Sequence, residues 1–169
     1  MKKLIVLSIL VFISCKNENI KLKPNFKDFI YVNFNLRENS SLKFNGSDTL
    51  YLQKRFPEEA VGNFIAVLNR QDKDSLIEKI NKLNFKKYEP TYIQKYIEDG
   101  NSQIFIINRN EKTESIYIHG STPPSKINAL GNWVENLQSR LQFVKTDEYI
   151  HFSNIENIVT PPPPPPIVK

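Results

Sequence analysis

Apolar and polar residues alternate along the first third of the chain as they do in β-strands. Between residues 30 and 36, apolar side chains occupy every second position, which is the period of a strand with a buried face. Residues 41–45 and 49–54 show the same alternation on either side of Asn45-Gly46, a dipeptide that supplies the positive φ angles of a hairpin turn. The pattern predicts a β-hairpin next to a further strand.

The pattern then changes to the period of an amphipathic helix. After another strand at 61–68, a helix is expected at 73–84, where Asp72 or Asp74 can cap the free backbone amides. The apolar residues of this helix form one stripe, made of Leu76, Ile77, Ile80 and Leu83. One face of the helix is therefore expected to pack on the sheet.

A second hairpin and a second helix follow. Residues 103–108 and 114–119 predict the hairpin, and the near-continuous apolar run of its first arm indicates a central strand covered on both faces. The helix is expected to be capped by Thr122 and to carry Pro123 or Pro124 in its first turn. Its apolar stripe consists of Ile127, Leu130, Val134, Leu137 and Leu141.

Together these elements predict an α+β fold. A last short strand is expected at 148–152, so the order is strands, helix, hairpin, helix and strand. Hairpins imply antiparallel pairing, and two amphipathic helices then pack on one face of an antiparallel sheet. Gly131 is expected to let the second helix approach the sheet closely. The predicted single domain covers residues 26–153 and is long enough to bury a sizeable core.

The start of the chain has the layout of a secretory signal. Two lysines precede an almost uninterrupted apolar run at 4–13, and a serine and Cys15 follow. A positive region, an apolar core of about 7–15 residues and a small residue before the cut are the parts of such a signal. The run is too short for a membrane-spanning helix, which takes about 20 apolar residues. The sequence therefore predicts a signal peptide at 1–14.

The end of this signal, Phe12-Ile13-Ser14-Cys15, resembles the lipobox of bacterial lipoproteins. In that family the residue in the place of Ser14 is the small residue before the cut, and the residue in the place of Cys15 receives the lipid. Phe12 departs from the aliphatic residue that is usual in the motif. The resemblance implies a diacylglycerol on the thiol of Cys15 and a fatty acid such as palmitate on its amino group.

Lipidation of Cys15 would make residues 15–25 a tether between the membrane and the domain. The protein would then lie in the bacterial cell envelope, on the periplasmic or the surface face of the outer membrane. Two other interpretations stay open. A lone cysteine can be a small buried hydrophobe, and a plain secretory signal can be cut at another position.

The domain itself resembles a small uncharacterised domain of bacterial lipoproteins. The resemblance covers roughly residues 29–141 and rests on the spacing of its features: Gly62 and the strand after it, the helix at Asp72, Leu83-Asn84-Phe85, the second hairpin, and Pro123-Pro124. It implies the fold and no known activity, so it assigns no functional residue.

Composition and charge narrow the classes of partner. The chain has 23 Lys and Arg against 18 Asp and Glu, a formal net charge of +5, and removal of a signal peptide would lower it. So small an excess does not indicate nucleic acid as a partner. The expected partners are the membrane, through the N-terminal lipid, and an envelope protein; no pattern indicates an oligomeric state. Neither a metal-binding spacing nor a phosphate-binding loop is present, so no metal and no cofactor are expected.

Three tyrosines are the predicted binding residues. Tyr88, Tyr92 and Tyr96 recur every four residues, so they would line one face if residues 91–98 were helical. Exposed tyrosines are good recognition residues because they join an apolar ring to a polar hydroxyl. The alternative is that they pack over the edge of the sheet. The favoured function is a non-enzymatic binding or assembly-support module.

The alternative function is a small cell-envelope hydrolase that uses His119. This residue lies at the predicted end of a strand, before Gly120-Ser121-Thr122, where loops carry catalytic groups in many enzymes. The hydrolase needs a serine or a carboxylate within reach of the imidazole. The chain ends in a predicted disordered tail at 154–169 that contains six consecutive prolines, either a stiff spacer or a ligand for an aromatic groove.

Overall fold

The structure, a computed structural model, describes residues 22–97, 100–110 and 112–152. The predicted signal peptide, Cys15, most of the tether and the tail at 154–169 lie outside these residues. In chain order the strands and helices are β1 (Asp28–Phe34), β2 (Asn39–Phe44), β3 (Thr49–Phe56), β4 (Gly62–Val67), α1 (Arg70–Asn81), β5 (Thr91–Ile93), β6 (Ser102–Arg109), β7 (Lys112–His119), α2 (Ser125–Arg140) and β8 (Val144–Thr146).

The eight strands of the described residues belong to one sheet in the order β5-β7-β6-β1-β2-β3-β4-β8. The predicted α+β class is confirmed, as are both hairpins, β2–β3 and β6–β7. The predicted antiparallel pairing holds for the other strands and is wrong at one edge, where β5 runs parallel to β7. At three residues, β5 is too short to show a period in the sequence, so the pattern of apolar residues does not predict it.

Both helices pack on the same face of the sheet. Their apolar stripes meet alternate residues of the strands in one core cluster: Leu76, Ile77, Ile80, Ile127, Leu130, Val134 and Leu137 from the helices, and Phe29, Tyr31, Leu42, Phe44, Phe105 and Ile107 from the sheet. A Cβ atom on Gly131 would lie 3.2 Å from Cζ of Phe105, so the predicted close approach of α2 is confirmed. Burial of each large side chain contributes about 1.5–3 kcal/mol.

The opposite face carries a smaller apolar cluster at the centre of the sheet. It consists of Ile30, Val32, Ile104 and Ile106, with Tyr117 and Phe152 packed against it. Because β6 contributes to both clusters, its prediction as a central strand covered on both faces is confirmed. The prediction that β1 has one buried face is wrong, because its side chains enter both clusters.

Residues 147–152 cross this second face instead of forming the strand expected at 148–152. The side chain of Asn63 donates to the carbonyl of Glu148 at 3.0 Å, and Lys43 Nζ donates to the carbonyl of His151 at 2.7 Å. The last strand is β8, which pairs with the edge of β4. These residues therefore cover the sheet with side chains and do not extend it.

The two helices begin at other positions than expected. Asn69 caps α1, accepting from the amide of Asp72 at 2.8 Å, so the helix starts before the predicted cap at Asp72 or Asp74. Thr122 does not cap α2, because Pro124 takes the N-cap position and no side-chain cap forms there. Thr122 and Pro123 each precede a proline and so avoid the α conformation, which keeps the helix from starting before Pro124. The prediction of a proline in the first turn is also wrong, because α2 begins at Ser125.

An ion pair joins the N-terminal turn of α1 to the C-terminal turn of α2. The guanidinium of Arg140 donates to both carboxylate oxygens of Asp72, to Oδ2 at 3.0 Å. The Asp72 side chain is only 8% exposed, whereas that of Arg140 is 51% exposed. The pair therefore ties the helices together around a buried carboxylate.

Replacing Arg140 with glutamine should lower the free energy of unfolding by about 1–3 kcal/mol, because it leaves a buried carboxylate without its cation. The matched control is Arg70→Gln, which removes an exposed pair with Asp74 at 3.6 Å and should change stability by less than about 1 kcal/mol. Urea denaturation of both variants measures the difference. Equal losses of stability in the two variants would show that the buried pair with Asp72 contributes no more than the exposed pair with Asp74.

Candidate functional site

A polar cleft of about 520 Å³ lies between α2 and the sheet. Its volume falls within the range of about 300–1,000 Å³ that is usual for sites of small ligands. The polar residues that line it are Asn33, Glu38, Lys54, Glu135, Gln138 and Ser139, and the apolar ones are Leu52, Phe64, Leu141 and Phe143. The cleft thus joins a polar floor to an apolar wall.

The periods of strand and helix bring the polar groups together. On β1, Tyr31 and Asn33 are two residues apart and so point to the same face. On α2, Glu135 and Gln138 are three residues apart and so share one side of the helix. The Tyr31 hydroxyl donates to Oε1 of Glu135. Asn33 therefore faces the helix just beyond this contact.

A hydrogen-bond network holds Glu135 in place. Nε2 of Gln103 lies 3.0 Å from the Tyr31 hydroxyl and 3.2 Å from Oε1 of Glu135. Burial raises the pKa of Tyr31 well above its ordinary value, and the hydrogen bond to Glu135 raises it further. The phenol therefore stays protonated and keeps donating to the carboxylate.

Glu38 is held at the other side of the cleft. Its Oε1 accepts from the hydroxyl of buried Ser40 at 2.7 Å and, weakly, from Gln138 at 3.5 Å. Both carboxylates therefore use Oε1 for contacts with the protein. In the part of the chain that the structure describes, the second oxygen of each has no recorded partner.

Asn33 supplies the least satisfied group of the cleft. Its Oδ1 is buried and has no hydrogen-bond partner among the described residues. A buried acceptor without a donor costs about 1–3 kcal/mol. Within residues 22–152, outside the masked positions, this is the one buried side-chain N or O atom without a partner. No donor of the described residues therefore reaches this oxygen.

The structure also gives His119 the serine neighbour that the hydrolase hypothesis needs. Nδ1 of His119 lies 2.8 Å from Oγ of Ser102, because the two residues are paired across β6 and β7. The imidazole also stacks on the ring of Tyr117, with centroids 6.4 Å apart. Ser102 is only 6% exposed, so the hydroxyl is enclosed by the sheet.

The three candidate tyrosines do not lie on one face. The helix on which that arrangement depends is not present, since residues 91–93 form β5. Tyr88 and Tyr92 pack against the main core, which is the alternative that the sequence left open, and Tyr96 is fully exposed in a turn with a positive φ of 65°. Their role in binding stays a prediction.

Sequence reasoning missed the cleft because its residues come from separate elements. The one available signal was Asn33, a polar residue that continues the face of Phe29 and Tyr31 on β1. Among the described residues, no group of three or more His, Cys, Asp or Glu side chains is arranged to hold a metal ion. Likewise, no helix in the described ranges has the length and apolar character needed to cross a membrane.

The fold and the cleft define the class of the protein as an α+β domain with a ligand-sized polar site. Comparison with known proteins finds no match: no family model, no curated protein and no solved structure is significantly similar to the chain. The resemblances to a lipobox and to a small lipoprotein domain therefore stay predictions.

The raised pKa of Tyr31 predicts a loss of stability in alkaline solution. A phenol whose pKa is higher in the folded state stabilises the fold below its unfolded pKa of about 10, and this contribution is lost as the pH rises above that value. Replacing Tyr31 with phenylalanine should remove that part of the slope, which is at most about 1.4 kcal/mol per pH unit. Urea midpoints between pH 8 and 11 measure it.

The control for this comparison is Tyr96→Phe, which removes a fully exposed hydroxyl and should keep the wild-type slope. If the Tyr31 variant and the wild type lost stability equally above pH 10, the buried phenol would not be the group responsible.

Proposed function

We propose that this chain is a membrane-tethered lipoprotein of the cell envelope whose α+β domain is a non-enzymatic binding module. The cleft between α2 and the sheet is its binding site. The observation that carries the binding role is the buried Oδ1 of Asn33, an acceptor without a donor at the floor of a ligand-sized cleft. Because this oxygen is enclosed, a bound molecule with N–H or O–H groups would satisfy it after a rotation of the Asn33 amide toward the cleft.

The lipid anchor is supported by the leader pattern and by Cys15 directly after Ser14. Two or more acyl chains hold a protein stably at a membrane, whereas a single chain binds only marginally. The carbonyl of Lys23 and the amide of Asn25 are bonded to the side chain of Asn81 at 2.9 Å each. At about 3.3–3.6 Å per residue, the chain from Cys15 to Lys23 would hold the domain within about 30 Å of the bilayer.

Replacing Cys15 with alanine should move the protein from the membrane fraction to the soluble fraction of a bacterial host. The same change should abolish labelling with an alkyne analogue of palmitate, because the acceptor thiol is gone. The matched control, Phe12→Leu, restores the usual aliphatic residue of the lipobox and should keep both properties. A wild-type product with a bare thiol in its intact mass and free solubility would contradict the anchor.

Replacing Asn33 with leucine tests the binding role without knowledge of the ligand. The two side chains are of similar size, and the change removes a buried acceptor that has no hydrogen-bond partner among the described residues. The free energy of unfolding should therefore rise by about 1 kcal/mol, as expected where a binding group is kept at a cost in stability.

The matched control is Asn63→Leu on β4, where the asparagine is satisfied by Gln53 and by the carbonyl of Glu148. This change should destabilise the protein. If Asn33→Leu destabilised it as well, Asn33 would be a structural residue and the binding role of the cleft would lose its main support.

The hydrolase is the second candidate, and the contact between Ser102 and His119 favours it. A nucleophilic serine must be reached by the carbonyl carbon of a substrate. Ser102 is buried within the paired strands β6 and β7. In the described ranges, the imidazole of His119 has one side-chain hydrogen bond, to Ser102, and stacks on the Tyr117 ring. No third polar side chain there orients it as a base. A structural cross-strand hydrogen bond explains the contact more simply.

A further inference from the structure

The cleft has two poles of opposite charge, set apart by the register of the sheet. Asn33 of β1 pairs with Ser40 of β2, and Ser40 pairs with Lys54 of β3. These three residues form one row across neighbouring strands, and the outer two line the cleft. Strands lie about 4.8 Å apart, so the outer two backbones are separated by roughly 10 Å.

The first pole is a set of acceptors. Oδ1 of Asn33 has no donor, and Glu38 and Glu135 use Oε1 alone for their described contacts. Two negative charges favour a cation over a neutral donor. A primary ammonium carries three N–H donors and no acceptor, so it matches a site that offers three acceptors.

The second pole is the ammonium of Lys54. It is partly buried and lines the same cleft as two glutamates, yet within the described residues it has no recorded ion pair or hydrogen bond. It lies two strands away from Asn33, so it is set apart from that end of the cleft. An anionic group of a ligand could bind there through a charge-assisted hydrogen bond.

Between the poles the cleft is walled by apolar side chains. Leu52 and Phe64 come from paired positions of β3 and β4, and Leu141 and Phe143 follow the end of α2. This wall would exclude water from an apolar group and favour its binding. A ligand that fits all three parts has an ammonium, an apolar side chain and a carboxylate.

We propose that the cleft binds a small zwitterion of the amino-acid class, a free apolar amino acid or an apolar dipeptide. The ammonium binds at Asn33, Glu38 and Glu135, the carboxylate binds at Lys54, and the apolar side chain packs against Phe64 and Phe143. This inference rests on the proposed function, because it takes the cleft to be the binding site. A volume of about 520 Å³ has room for either ligand.

The test is a calorimetric titration of the purified mature chain, held in detergent micelles, with a matched set of probes. Leucine and leucyl-phenylalanine are the zwitterions, leucinamide lacks the carboxylate, N-acetylleucine lacks the ammonium, and glucose is the uncharged control. A zwitterion should bind at least tenfold more tightly than leucinamide and N-acetylleucine. The comparison of leucine with the dipeptide decides which of the two lengths the cleft prefers.

Two variants locate the binding. Lys54→Met should weaken zwitterion binding about tenfold. It should leave leucinamide binding unchanged, because leucinamide has no carboxylate for Lys54 to bind. The matched control, Lys86→Met, removes an exposed lysine that lies outside the cleft and should change nothing. Equal affinity of leucine and leucinamide, or an equal effect of Lys54→Met on both, would overturn the role of Lys54.

The failure of this inference is distinguishable from that of the proposed function. Binding of glucose in place of the zwitterions, or binding of none of the probes, would overturn the inference that the ligand is a zwitterion. The binding role of the cleft would still stand if Asn33→Leu stabilised the free protein. If that variant were less stable than the wild type, both the binding role and the zwitterion inference would be contradicted.

Discussion

The burial of β1 at the centre of the sheet is the constraint on which the rest of the structure depends. Phe29 and Tyr31 of this strand enter the core beneath the helices, and Ile30 and Val32 enter the cluster on the opposite face. A strand in this position must be apolar on both sides, because it meets packed side chains above and below. Asn33 is a polar exception on this strand, and the cleft lies at its position.

Two contacts hold the C-terminal half of α2 over this part of the sheet. Tyr31 bonds to Glu135, and Arg140 bonds to Asp72 at the start of α1. Glu135 and Gln138 both line the cleft. Glu135 makes the first of these contacts, and Gln138 lies between Glu135 and Arg140 along the helix. The polar groups of the cleft are thus set on a rigid strand and a helix fixed at two points, so little ordering would be required when a ligand binds.

Much of the fold could be predicted from the sequence, because its elements are long enough to show a period. The hairpin at Asn45-Gly46, the helix stripe from Ile127 to Leu137 and the central strand β6 all follow from local patterns and are present. The short strands β5 and β8 could not be found in this way. Their positions depend on which sheet edges are left open after the longer strands have paired.

The candidate site was beyond the reach of sequence patterns for a related physical reason. The tyrosine spacing from Tyr88 to Tyr96 indicated a helical face, but tertiary pairing with β7 makes part of that segment a strand, and local propensity yields to such pairing. The cleft joins Asn33, Glu38, Lys54 and Glu135 from four separate parts of the chain. The register of β1, β2 and β3 places Asn33 and Lys54 on one face, and the packing of α2 brings Glu135 to the same cleft.

The most direct measurement of the central claim is a crystal structure of the protein purified from its membrane without added ligand. The binding role predicts an open cleft in which a bound molecule places a donor within about 3.2 Å of Oδ1 of Asn33. A collapsed cleft, with that oxygen bonded to a donor of the protein itself, would contradict it.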